Sequence, residues 1–105
     1  MNASSKPVVA ASAAVLLTLV SVVPATAVTL VLTSPVACSP KYVKTVSNAK
    51  YATVHTIGTG GGSWSFTIQH GSSYTTKTRL WGIYSAPGPN YVDGAYLSSA
   101  SISCY

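Results

Sequence analysis

The sequence predicts an all-β fold, a small antiparallel β-sandwich or barrel with one disulfide, preceded by an N-terminal signal segment. Three observations carry this prediction. Short runs of alternating polar and apolar residues, rich in Val, Ile, Thr and Tyr, recur after residue 40 and are broken by Gly, Pro and Asn. No stretch there repeats apolar residues at helical spacing. Two cysteines, Cys38 and Cys104, bracket almost the whole of this part.

The chain opens with a short polar segment, Met1–Lys6, carrying the amino terminus and Lys6. An apolar run, Val8–Val23, follows, and Pro24-Ala25-Thr26-Ala27 closes it with small residues. Positive start, apolar middle and A-x-A site are the three parts of a secretory signal peptide. Cleavage after Ala27 divides the chain into a signal peptide, residues 1–27, and a small exported β-domain, residues 28–105. Cleavage after Ala37 would place Pro35 three residues before the cut, which peptidase specificity disfavours. The alternative is a membrane anchor through residues 8–32, long enough to span a bilayer as a helix. Against it stand Pro24 within the span and the lack of any Lys or Arg after it until Lys41. Cys38 follows Ser34-Pro35-Val36-Ala37, without the Leu that normally precedes a lipidated cysteine. The expected location is extracellular, with no stable membrane span after cleavage.

Within residues 28–105, Val28–Thr33 reads as a further strand or as the tail of the leader. Lys41–Ser47 reads as a strand with Val43 and Thr45 on one face, Asn48-Ala49 as a turn, and Lys50–Ile57 as a second strand with Tyr51, Thr53, His55 and Ile57 sharing a face. Gly58–Gly62 is a flexible connection. Ser63–Tyr84 then reads as a β-hairpin reversing at His70-Gly71-Ser72-Ser73, with Trp64, Phe66 and Ile68 on one face. Both tryptophans and the sole phenylalanine lie in it, which marks it as the expected seed of the core. Ser85–Asn90 is a Pro/Gly loop that should not join a ladder. Tyr91-Val92 is a short strand before an Asp93-Gly94 turn. Tyr96–Cys104 is the last strand, with Tyr96, Ala100, Ile102 and Cys104 of one parity.

In an exported chain two cysteines are expected to pair. Joining Cys38 to Cys104 closes a loop that should stabilise the domain by about 4 kcal/mol in the chain-entropy model. A domain this short needs such support, because its core alone is marginal.

Composition narrows the chemistry. The cations of the β-domain are Lys41, Lys44, Lys50, Lys77 and Arg79, against the single carboxylate Asp93. One carboxylate excludes the paired carboxylates of a glycosidase and argues against Ca²⁺ or Mg²⁺ sites. His55 and His70 lack zinc-ligand spacing, so neither metal nor cofactor is expected. A Ser/His/Asp triad assembles on paper from Asp93 and either histidine, but no G-x-S-x-G elbow supports it, and Asp93-Gly94 is a turn pair. His70 reads as a solvated loop histidine and His55 as a half-buried one with a hydrogen-bond partner. Gly58–Gly62 shares only its glycine content with phosphate-binding loops. Interleaved cations and aromatics occur at Lys41–Lys44, Lys50-Tyr51 and Lys77–Arg79, but they are few and scattered, and nucleic acid is not an expected partner of an exported protein.

Ten aromatic residues exceed what so small a core can enclose. Some must be exposed, and exposed Tyr and Trp beside hydroxyls suit stacking on sugars or packing on a protein. Lys77, Arg79 and Trp81 share one parity, and two cations cannot all face a core, so they form the expected binding face. A cell-wall polymer, a glycan or a surface protein is the expected partner. The alternative for this face turns Trp81 inward at a bulge and leaves the cations as solubilising charge.

The layout of leader, cysteine, His-bearing strand, Trp-containing middle and terminal cysteine resembles small exported β-proteins of Gram-positive bacteria, a likeness that implies no activity. Gly62-Ser63-Trp64-Ser65-Phe66 and His70-Gly71-Ser72 resemble lactococcin-type secreted bacteriocins, from which the chain departs in its two cysteines and its Lys-rich segment before Trp64. The expected function is a non-catalytic binding or cell-surface interaction module rather than an enzyme; the alternative is a secreted cationic antimicrobial protein.

Overall fold

The computed structural model describes residues 27–105; the expected signal segment lies outside them but for its last residue, Ala27. Seven strands form: β1 (Val28–Val31), β2 (Val36–Ala37), β3 (Val43–Gly58), β4 (Ser63–Gln69), β5 (Thr75–Leu80), β6 (Ser85–Ala86) and β7 (Tyr91–Cys104). There is no helix among the described residues. Every pairing is antiparallel. The main sheet has five strands in the order β1-β7-β3-β4, with β5 also on β3, and β2 and β6 form a separate two-stranded ribbon.

β3 is the strand the sheet is built on. Along one edge it pairs with β7, from Val43 opposite Cys104 to Thr56 opposite Tyr91. Along the other edge β5 covers Lys44–Ala49 and β4 covers Ala52–Gly58. The two halves of the expected hairpin therefore lie end to end against β3 and do not pair with each other. A 16-residue strand offers an edge long enough for both runs, and residues 70–74 loop out between them instead of reversing the chain. Asn48 and Ala49, expected as a turn, stay in the ladder, and Ala49 is fully buried.

The reversal happens further on, at Tyr51, and it bends the strand without breaking it. Tyr51 has φ 58°, the left-handed region that a bulky residue rarely enters. The β3–β7 register shifts on either side of it, between Asn48 and Ala49 and between Lys50 and Thr53. Bulges of this kind raise local twist and let a sheet turn a corner. Hydrogen bonds from Tyr51 N to Gly71 O (2.7 Å) and from His70 N to Tyr51 O (2.8 Å) pin the corner to the loop. Gly94 crosses the corner on β7, where a Cβ would press on Thr53 Cγ2 at 3.0 Å. Asp93-Gly94 is thus strand interior at a close crossing, not a turn.

The bend folds the sheet on itself. Val43 and Ile57, near opposite ends of one strand, pack in a single cluster with Cys38, Trp81 and Ala86; a straight strand would hold them roughly 45 Å apart. A second apolar cluster, Leu32, Ala49, Val92 and Leu97, fills the side under β1 and β7. Ala100, Ile102 and Cys104 keep their expected face, opposite Ser47, Thr45 and Val43, but the irregularity near Leu97 takes Tyr96 off it and puts Leu97 there.

The Pro/Gly segment is more ordered than its composition suggests. Ser85-Ala86 pairs with Val36-Ala37. The fully buried Asn90 accepts from Gly58 N (3.0 Å) and donates to Thr33 O (3.0 Å) and Ala86 O (3.1 Å), tying β3, β6 and the segment after β1 together. Gly58 belongs to this junction: a Cβ there would lie 2.0 Å from Gly88 O. Val28–Val31 is a true strand paired with β7, and Leu32 is buried, so these residues of the apolar run 8–32 belong to the sheet. No helix among the described residues is long and apolar enough to cross a membrane. The expected Cys38–Cys104 disulfide forms, spanning 66 residues.

Candidate functional site

The bend brings polar side chains of the two halves of β3 face to face. Thr45, Ser47, Thr53 and His55 are all fully buried, and His70 is nearly so. Thr45 Oγ1 lies 2.6 Å from His55 Nδ1, and Ser47 Oγ lies 2.8 Å from His55 Nε2. His70 Nε2 reaches Ser47 Oγ at 3.1 Å and Thr53 Oγ1 at 3.0 Å, while its Nδ1 lies 2.9 Å from Thr75 O. Trp81 Nε1 donates to Thr45 Oγ1 at 2.9 Å. His70 is therefore a structural member of the interior, not a solvated loop histidine. His55 is fully rather than half buried, with a partner on each ring nitrogen.

One proton arrangement satisfies this seam throughout. Trp81 donates to Thr45, and the Thr45 hydroxyl donates to His55 Nδ1. His55 Nε2–H then donates to Ser47, whose hydroxyl donates to His70 Nε2. His70 Nδ1–H ends the chain on the Thr75 carbonyl, which can only accept. Such a network rigidifies a core only while each member keeps its partner. Burial, together with the neighbouring His70, holds the His55 pKa down at about 4, so the ring is neutral at neutral pH.

Ser47 beside two histidines has the outline of an activated nucleophile, yet its surroundings oppose that use. Its oxygen is enclosed by His55, His70 and Thr53, and Ser47 exposes no surface. Asp93 pairs with Val54, whose neighbour His55 points the other way, and it hydrogen-bonds Thr29 on β1. The triad written from the sequence therefore does not assemble. Among the described residues no three His, Cys, Asp or Glu side chains converge as metal ligands would.

The surface at the open edge of the fold is built differently. Of the expected binding residues, Lys77 is exposed, Arg79 is half-buried and Trp81 is buried, 6% exposed. The expectation for Trp81 is corrected: in the four-residue connection after β5 its indole turns inward to the Thr45 hydroxyl, as the inward alternative had it. Its place on the surface is taken by Trp64 and Phe66, which are 47% and 41% exposed although they were expected in the core. They stand opposite Ile57 and His55; Arg79 and Lys77 stand opposite Thr45 and Ser47. All four side chains therefore belong to the inner face of the folded sheet, at its free edge, where β4 forms one lip and β5 the other. Arg79 bridges the lips: its guanidinium carbon lies 3.9 Å from the Phe66 ring centre and 5.3 Å from that of Trp81. Its Nε is buried and without an acceptor.

Two further aromatic groups lie elsewhere. At the corner, Lys50 Nζ sits 5.0 Å, 5.3 Å and 5.9 Å from the ring centres of Tyr96, Tyr74 and Tyr51. Tyr42 and Tyr84 stack at 5.2 Å with planes 9° apart; the hydrogen bond with Tyr42, and then its charge, pushes the Tyr84 hydroxyl above its ordinary pKa. No residue pattern announces the open lip, because Trp64 and Phe66 alternate as core residues do. The chain matches no protein-family model, no curated protein and no solved structure.

Proposed function

We propose that this chain is exported, with residues 1–27 a signal peptide removed from the β-domain 28–105, and that the domain is a non-catalytic module binding a cell-wall polymer, glycan or surface protein. One observation carries the reading: eight of the ten aromatic residues, Tyr42, Tyr51, Trp64, Phe66, Tyr74, Tyr84, Tyr96 and Tyr105, are exposed. Apolar rings cost free energy in water, and such a surface suits a partner that covers them. The interior, by contrast, is committed to hydrogen bonds among its own groups, which favours binding over catalysis. Export is supported by the Cys38–Cys104 disulfide, which suits an oxidising compartment. Cleavage after Ala27 would leave β1 whole, whereas cleavage after Ala37 would remove β1 and β2.

The test is sedimentation of the purified protein with whole Gram-positive cells and with isolated cell walls. Saturable retention without growth inhibition is expected. Killing or membrane leakage at the same concentrations would favour an antimicrobial protein, and no retention on either material would end the module reading. Intact mass of secreted protein is expected to begin at Val28.

A further inference from the structure

We propose that the lip formed by Trp64 and Phe66 on β4 and by Lys77 and Arg79 on β5 is a binding site for an anionic polysaccharide. The inference rests on the module reading and names its ligand class. The first support is the charge balance. The chain contains one carboxylate side chain in all, Asp93, and that residue is engaged with Thr29 on β1, the opposite edge of the sheet from β4. No acidic side chain is left to neutralise Arg79 or Lys77, which leaves the pair free to take an anion from a ligand.

The second support is how Arg79 is held. With its central carbon 3.9 Å from the Phe66 ring centre and 5.3 Å from that of Trp81, the guanidinium is held against aromatic surface and stripped of part of its hydration. Both conditions strengthen its attraction for a carboxylate or phosphate oxygen and lower the ordering cost of binding one. With Nε enclosed, the Nη groups are the donors left for that oxygen. Lys77, on the same face and opposite the neighbouring inward residue of β3, adds a second, mobile charge one strand repeat away.

The third support is Trp64. Two residues from Phe66 on the same face and 47% exposed, it offers a flat ring next to the charges. Sugar C–H faces pack on such rings, so a ligand bearing both a sugar face and an anionic group engages both halves of the site. A bare polyanion would use the charges alone, and a neutral glycan the ring alone. Carboxylate-bearing and phosphate-bearing polysaccharides share the required chemistry.

Calorimetric titration of the purified protein separates these cases, with polygalacturonate, phosphomannan, neutral mannan and inorganic polyphosphate as probes. One or both acidic polysaccharides should bind about tenfold or more tighter than mannan and polyphosphate, with affinity falling as salt rises. Their relative strength tells carboxylate from phosphate. Lys77→Glu, a change at an exposed side chain, should weaken binding about tenfold, as for a charge reversal at contact. Trp64→Ala should weaken it comparably while leaving its salt dependence unchanged. Arg79→Lys keeps the charge without the planar guanidinium and should fall between wild type and Lys77→Glu; circular dichroism confirms each fold. Polyphosphate binding as tightly as the polysaccharides, or Lys77→Glu binding like wild type, overturns the inference. Retention on cell walls that ignores salt, Lys77→Glu and Trp64→Ala would overturn it while leaving the module reading intact.

Discussion

Phe66 and His55 are cross-strand neighbours on the same face of the same sheet, yet one is 41% exposed and the other fully buried. The same holds for Trp64 beside Ile57, and for Arg79 beside Thr45. Parity along a strand decides which face a side chain takes, but depth within that face is set by distance from the bend and from the free edge. Residues of β3 are covered by both halves of the folded strand. On the same face, Ile68 of β4 is still buried near the bend, whereas Trp64, Phe66, Lys77 and Arg79 run out to the lip. The interior and the lip thus draw on one alternating pattern for two purposes. Interior residues should govern stability and lip residues binding.

The largest effect expected on the interior is loss of the bridge beside its apolar cluster. Cys104→Ser frees a loop of 66 residues and should cost about 4 kcal/mol in the chain-entropy model. Urea unfolding of the variant against wild type measures it; an unchanged midpoint would mean that the folded sheet holds without the bridge.

Acid should come next, through the seam. His55 has a folded pKa of about 4 against an ordinary 6.5, so between those values the unfolded chain binds a proton that the folded chain refuses. Stability is then fully present above pH 6.5 and falls as pH drops towards 4, by about 3 kcal/mol at 1.36 kcal/mol per unit. Unfolding free energies at pH 7 and pH 4.5 check the slope, and His55→Asn should flatten it. A flat wild-type profile would show that the seam admits the charged ring.

Asn90→Ala removes three hydrogen bonds at once and leaves the Gly58 amide and two carbonyls to find other partners. A loss of about 3 kcal/mol is expected, hence a melting temperature lower by about 15 °C for a domain of this size.

How much of this the sequence carries can be argued from the same residues. The all-β class, the pairing of Cys38 with Cys104, and the shared faces of Val43 with Thr45 and of Thr53 with His55 and Ile57 follow from alternation and cysteine placement; Tyr51, expected on the latter face, stands exposed at the corner. The bend does not. Asn48-Ala49 has the turn composition, whereas the corner falls at Tyr51, a residue whose backbone preference opposes it; the loop at His70-Gly71 and the bulges against β7 impose it, and both are long-range. The hairpin failed for a related reason. Alternation fixes the face of each run but not its partner, and β3 outcompetes the adjacent run by offering a continuous edge. Without the bend, alternation alone points Trp64 and Phe66 at a core and leaves His70 and Asn90 looking like loop residues. Lys77 and Arg79, expected on the open side on charge alone, share instead the inward parity of Thr45 and Ser47, and only the free edge of the sheet leaves Lys77 exposed and Arg79 half-buried.

The smallest expected effect sharpens the comparison most, because it applies one substitution to both regions. Trp81→Phe removes the indole donor to Thr45 and shrinks a side chain packed against Val43 and Ile57. Thr45 would lose its incoming hydrogen bond and the cluster some volume, at a cost of about 1–2 kcal/mol. Trp64→Phe, at the half-exposed lip, leaves no buried partner unpaired and should change stability by less than about 0.5 kcal/mol. Iodide quenching reports the same contrast without unfolding the protein. The variant that retains only Trp81 should be shielded, and the variant that retains only Trp64 should be quenched readily. Equal quenching of the two, or equal destabilisation, would mean that the lip is covered in solution and that edge and interior are not separate regions.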